Sequence, residues 1–183
     1  MPRILEAEEF SSNARGEVAD FCCGSEPWEL AIADWIKATS DDKTGALWSM
    51  KAKRTKVWIY YDGISFVGYG SLGETNWSWP YPDGERKKVS IIPCLGLALA
   101  FQGEPKESLP KDRFSGQIIR HLTYHAIQQG HQFLVLKVHR KNDRAIRLYE
   151  RWSFTPFPVR EGDYVRMFKQ IIETDRSEPT RGN

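Results

Sequence analysis

The 183-residue chain carries 26 Lys and Arg against 24 Asp and Glu, a formal charge of +2, so no global field draws it to nucleic acid or to a membrane surface. Its length suits one domain with a sizeable core, expected over residues 1–171, and no break in composition marks a second. No stretch approaches the roughly 18 uninterrupted apolar residues of a membrane span, and the first residues lack a basic region followed by an apolar run, which predicts a soluble protein that is not exported.

The opening 19 residues are polar and read as an early strand or ordered arm. Trp28, Ala31, Ile32, Trp35 and Ile36 then recur at helical spacing, with Ser25 as the expected cap and Pro27 in the first turn. Residues 55–61 and 64–72 alternate as strands around Asp62-Gly63, a two-residue hairpin signal. The run Trp77-Ser78-Trp79-Pro80-Tyr81-Pro82-Asp83-Gly84 reads as a long loop. Residues 89–99 restore an apolar strand, in which Pro93 predicts a bulge or a splayed edge.

A polar loop over 103–112 precedes a helix with Ile118, Ile119, Leu122 and Ala126 on one face, ending near Gly130. Val135, Leu136 and Val138 form a strand core. After a polar turn, Ala145, Leu148, Tyr149 and Trp152 are again helically spaced, with Asn142 where an N-cap belongs. Residues 154–157 and 164–171 read as closing strands and 172–183 as a disordered tail.

Three cysteines, Cys22, Cys23 and Cys94, form neither an even disulfide set nor a metal-type spacing, so a reducing, cytoplasmic setting is expected. His121 and His125 stand four apart on a helix, but the glutamate of the H-E-x-x-H metal motif is missing between them. They read as surface histidines, and no metal is expected. Two basic clusters stand out: Lys51, Lys53, Arg54 and Lys56, and then Arg140, Lys141, Arg144, Arg147 and Arg151. Trp77, Trp79 and Tyr81 suggest a stacking platform, a wall over an acceptor cleft, or plain packing.

The order Asn142, Ala145, Tyr149, Phe154 resembles the signature N-x-x-A-x-x-x-Y-x-x-x-G-F of the GCN5-related N-acetyltransferase (GNAT) superfamily, with Ser153 in place of the glycine. If that position needs a positive φ, serine there is strained, and a slightly different turn is expected. The resemblance implies an α/β (α+β) fold: a mixed, mostly antiparallel central sheet flanked by helices, with a splayed strand pair that holds acetyl-CoA. It implies that Tyr149 protonates the departing thiolate while an acceptor amine attacks the thioester directly.

The superfamily's pyrophosphate loop, [Q/R]-x-x-G-x-[G/A], is matched in part by Arg113-Phe114-Ser115-Gly116-Gln117-Ile118 at the start of a predicted helix, where free amides and the dipole attract anions. Phe101-Gln102-Gly103 also resembles the start of that loop. Leu95 and Leu97 take the place of the strand that pairs with the pantetheine arm, with Asn142 and Ala145 on its other side. Phe21-Cys22-Cys23-Gly24, the following helix and Val67-Gly68-Tyr69-Gly70-Ser71-Leu72 resemble a subgroup of acetyltransferase toxins that modify aminoacyl-tRNA. That implies tRNA or an antitoxin as partners, beside a small-molecule or peptide amine. A homodimer, or a domain that binds a partner without transferring an acyl group, is also compatible with the sequence.

Two further roles are open. Cys94 on the cofactor strand could carry an acyl-cysteine. Glu74 or Glu104 could serve as general base, although an acceptor amine already partly uncharged near neutral pH needs none.

Overall fold

A computed structural model describes residues 4–38, 43, 45–52, 54–78, 86–102, 113–158 and 162–171. In chain order the strands are β1 (Glu6–Glu9), β2 (Thr55–Asp62), β3 (Ser65–Ser78), β4 (Arg86–Ile92), β5 (Leu95–Leu97), β6 (Phe133–His139), β7 (Thr155–Pro156) and β8 (Tyr164–Gln170). The helices are α1 (Arg15–Val18), α2 (Pro27–Lys37), α3 (Ala46–Lys51), α4 (Phe114–Gln128) and α5 (Asp143–Arg151). Strands pair in the order β1-β2-β3-β4-β6-β8-β7, with β5 on β3. Strands β4 and β6 are parallel, because α4 crosses over between them. The pairs β1–β2, β3–β4, β3–β5, β6–β8 and β7–β8 are antiparallel. No helix among the described residues is long and apolar enough to cross a membrane.

The described residues divide into two compact units, one built from residues 4 to 71 and from 94 to 121, the other from 72 to 93 and from 122 to 171. In the first, β2 is buried on both faces. Val57 and Ile59 join Phe10, Val18, Phe21, Ala33, Ile36 and Tyr69 in one core, whereas Trp58 and Tyr60 turn the other way and meet His121 of α4 edge-on. The Tyr60 hydroxyl and His121 Nδ1 are 2.8 Å apart, so His121 is a packed, half-buried residue and not the surface histidine its spacing suggested. In the second unit, Val89, Val135 and Phe157 form a core with Ile91, Phe133 and Phe168 packed against it.

Several local expectations shift. Helix α2 is capped by Glu26, not Ser25. Proline at the first helical position holds the residue before it extended, and Glu29, three residues on, accepts the Glu26 N–H at 3.1 Å. The hairpin turns on Gly63 and Ile64, one residue later than Asp62-Gly63, with Gly63 at φ 61° and Ile64 fully exposed. Trp77 and Ser78, the first two residues of the expected loop, belong to β3, and β4 starts at Arg86, while residues 79–85 lie outside the described residues. Helix α3 was not anticipated. The loop over 103–112, the tail over 172–183, Lys53, Trp79, Tyr81, Glu104 and the Trp77 side chain lie outside the described residues.

The irregularity expected at Pro93 is a bulge. Gly73 stands opposite Ile91 and Gly70 opposite Leu95, so three steps along β3 match four along the other strand, and Leu72 faces both Ile92 and Pro93.

Candidate functional site

Each unit carries one group of the residues singled out by sequence. In the first unit, β5 lies against β3 with its backbone unusually close. A Cβ on Gly68 would stand 2.2 Å from the Gly96 carbonyl, and one on Gly96 would meet Phe21 at 2.9 Å and Ile32 at 3.0 Å, so both positions need glycine. The Ser71 N–H donates to Cys94 O and the Ala98 N–H to Val67 O, each at 2.9 Å. Alternation along an antiparallel pair then turns the backbone groups of Leu95 and Leu97 to the opposite edge. That edge has no strand partner among the described residues. Its last acceptor is already engaged, because Gln102 Nε2 donates to Leu97 O at 2.9 Å and to Cys23 O at 2.5 Å. What remains is the Leu95 N–H, the Leu95 carbonyl and the Leu97 N–H, which is the hydrogen-bonding face of a short strand and fits an extended amide chain.

At the start of α4, Arg113 Nε is buried and has no hydrogen-bond partner among the described residues. Ser115 is half-buried and Gly116 buried in the first turn, whose leading amides have no acceptor within a helix. An unsatisfied guanidinium N–H beside a helix N-terminus suits an anion. Gln117 is committed elsewhere: its N–H donates to Arg113 O at 3.0 Å and its Oε1 accepts the Leu5 N–H at 2.8 Å.

In the second unit, Asn142 caps α5 as expected, its Oδ1 accepting the Ala145 N–H at 3.0 Å. Tyr149, two turns on, is buried and packs edge-on against Phe154 with ring centroids 5.6 Å apart. The helix closes with Ser153 N–H to Glu150 O and Phe154 N–H to Tyr149 O, both at 3.0 Å. Ser153 takes φ +64° to make this turn, so the glycine-type geometry is kept and the serine carries the strain. The exposed charges Arg144, Arg147 and Arg151 recur every three or four residues on α5, whereas Arg140 is tied to the Gly162 carbonyl and faces Asp163.

The remaining chemistry is narrowed by environment. Burial is the main reason that the Cys94 thiol is pushed up to about 12 and the Cys23 thiol to about 11; both shifts disfavour the thiolate and weigh against an acyl-cysteine. Glu74 is bound by Lys88 Nζ at 2.6 Å, and that bond holds its carboxyl below the usual range, against the demands on a general base. Its other oxygen lies 3.8 Å from His131 Nε2. His131 Nδ1 is 2.8 Å from the Ser90 hydroxyl, which also reaches Gln129 Oε1 at 3.1 Å. Sequence reading missed this network and the Ser71–Cys94 contact, since their partners lie far apart in the chain. Among the described residues no group of His, Cys, Asp and Glu could hold a metal ion.

No family model matches the sequence, and no curated protein matches it. The fold, however, is shared with solved acetyltransferase structures. A tyrosine-to-phenylalanine variant of KacT superposes with TM-score 0.67 at 12% identity, covering 92% of this chain and 95% of that one. A tyrosine-to-phenylalanine variant of the toxin AtaT, bound to the C-terminus of the antitoxin AtaR and acetyl-CoA, gives 0.62 at 14% identity, covering 91% and 93%. A Desulfovibrio desulfuricans protein assigned to the GNAT family of acetyltransferases gives 0.61 at 15% identity, covering 92% and 99%. Strand order, mostly antiparallel pairing and these superpositions agree: the chain has the fold of the GCN5-related N-acetyltransferases.

Proposed function

We propose that the protein is an acetyl-CoA-dependent N-acetyltransferase acting on a primary amine of a small molecule or peptide. The observation that carries this reading is the construction around Tyr149: a buried phenol on a helix fixed at its start by Asn142 and at its end by a strained Ser153 turn. In the proposed reaction the acceptor nitrogen attacks the thioester carbonyl, the C–N bond forms, and the C–S bond breaks as Tyr149 gives its proton to the sulfur. The amine proton leaves to solvent and Tyr149 is reprotonated from it. The Leu95–Leu97 edge of the first unit takes the pantetheine arm, and the resemblance assigns Asn142 and Ala145 of the second unit to the cofactor as well. Arg113, Ser115 and Gly116 take the pyrophosphate, and Gln117 supports that turn from behind.

The test is calorimetric titration of acetyl-CoA into wild type and Tyr149→Phe, followed by thiol release with mixed amines. Binding by both with release by wild type alone supports the reading. Absence of binding by wild type overturns it in favour of a partner-binding role.

A second reading is favoured by the likeness to KacT and AtaT: acetylation of the α-amine of an aminoacyl-tRNA, held in check by an antitoxin-like partner. The exposed Lys51, Arg54 and Lys56 suit phosphate contacts. Charged tRNA placed in the same thiol-release assay separates the two readings.

A further inference from the structure

The contact between Ser71 and Cys94 departs from an ordinary strand pair. In a regular antiparallel pair the two residues exchange main-chain bonds, each N–H donating to the other's carbonyl. Ser71 keeps its half, with N–H to Cys94 O at 2.9 Å. Cys94 does not return it to the Ser71 carbonyl; its N–H donates to the Ser71 hydroxyl at 2.9 Å, and that hydroxyl donates in turn to Cys94 O at 2.9 Å. The cause is the bulge one residue earlier, where Ile92 and Pro93 both face Leu72 and Pro93 has no N–H to offer. A hydroxyl carries one proton and two lone pairs, so it can accept from and donate to the same residue. Ser71 is completely buried, and water has no access to take over either bond.

We propose that the Ser71 hydroxyl is a positioning residue for the proposed acetyl-CoA site. It re-enters the ladder straight after the bulge and so sets the level at which β5 presents the Leu95 N–H, the Leu95 carbonyl and the Leu97 N–H to the extended arm of the cofactor. Gln102, bonded to Leu97 O, fixes the far end of the same three-residue edge. Together they leave β5 little freedom to slide, although it is only three residues long. This inference rests on the acetyl-CoA reading above.

The experiment compares acetyl-CoA with adenosine 3′,5′-bisphosphate, a probe that lacks the pantetheine arm, by calorimetry on wild type, Ser71→Ala and Ser71→Cys. The expected result is a tenfold or greater loss of acetyl-CoA affinity in Ser71→Ala with affinity for the bisphosphate unchanged, and a smaller loss of the same selectivity in Ser71→Cys, whose thiol is a weaker partner of similar shape. Equal loss for both probes means general destabilisation and overturns the positioning role. Unchanged acetyl-CoA affinity overturns it as well. Should Ser71→Ala fail to fold, Ser71→Cys carries the comparison alone, and wild-type affinity for both probes in that variant overturns the role. Failure of wild type to bind acetyl-CoA is a different outcome: it removes the acetyltransferase reading and this inference with it.

Discussion

The Phe154 N–H reaches back to the Tyr149 carbonyl at 3.0 Å, and the residue that lets it do so is a serine at φ +64°. A left-handed conformation costs a non-glycine residue about 1–2 kcal/mol, while glycine adds about 0.5–1 kcal/mol of unfolded-state entropy. Ser153→Gly is therefore expected to stabilise the protein by about 0.5–1 kcal/mol, seen as a rise in Tm of about 2 °C. Ser153→Val, β-branched at the same exposed position, is expected to lower Tm. A Ser153→Gly variant less stable than wild type contradicts the strain at this turn.

Asn142 is asked to do two things, and substitution separates them. Asn142→Ala removes the acceptor for the Ala145 N–H and is expected to cost about 1 kcal/mol. Asn142→Asp keeps that acceptor but exchanges the amide NH₂ for a second oxygen. Stability should be retained while acetyl-CoA affinity falls, as read by thermal melts beside calorimetry. Full affinity in the Asp variant reduces Asn142 to a cap.

His131 makes stability depend on pH. Burial holds its pKa below the ordinary value, with Glu74 raising it and Lys88 lowering it further. Below about pH 6.5 the unfolded chain takes up a proton that the folded one refuses. Stability is therefore expected to fall as pH drops from about 6.5, by at most about 1.4 kcal/mol per pH unit, until the lower folded pKa is reached. Glu74, with its lowered carboxyl, contributes in a separate and more acidic window. Urea unfolding between pH 5 and 7.5 should show the slope in wild type and a flatter one in His131→Gln.

Of the three thiols, Cys22 is exposed, Cys23 is buried and Cys94 is half-buried with its thiol pushed up to about 12. A disulfide exchange reagent at pH 8 is expected to titrate one thiol quickly in the native protein and all three in denaturant. Fast labelling of Cys94 in the native state would reopen the acyl-cysteine route.

The parts legible in the sequence are those whose cause is local. Asn142 caps three residues ahead, Tyr149 follows at helical spacing, and the apolar faces of α2 and α4 repeat within a few turns. The illegible parts depend on distant partners or on competition between neighbours. Ser25 has the better capping side chain, yet Pro27 fixes the boundary and gives the cap to Glu26. Trp77 opens a cluster of aromatics and prolines that reads as a loop, yet it pairs with Lys87 across the sheet. The serine at 71 gains its meaning only from a bulge on another strand. Gln102 resembles a phosphate-loop residue, but it is drawn inward by two carbonyls, one of them 79 positions away.

Strand β1 ends the sheet on one side, and all four of its residues are exposed. Three of them are Glu6, Glu8 and Glu9, on a strand whose outer backbone groups have no partner in the strand order. Two copies meeting there edge to edge would bring three carboxylates from each into one narrow seam, with repulsion strongest at low salt. The acidity of this border thus works against two copies pairing edge to edge through β1.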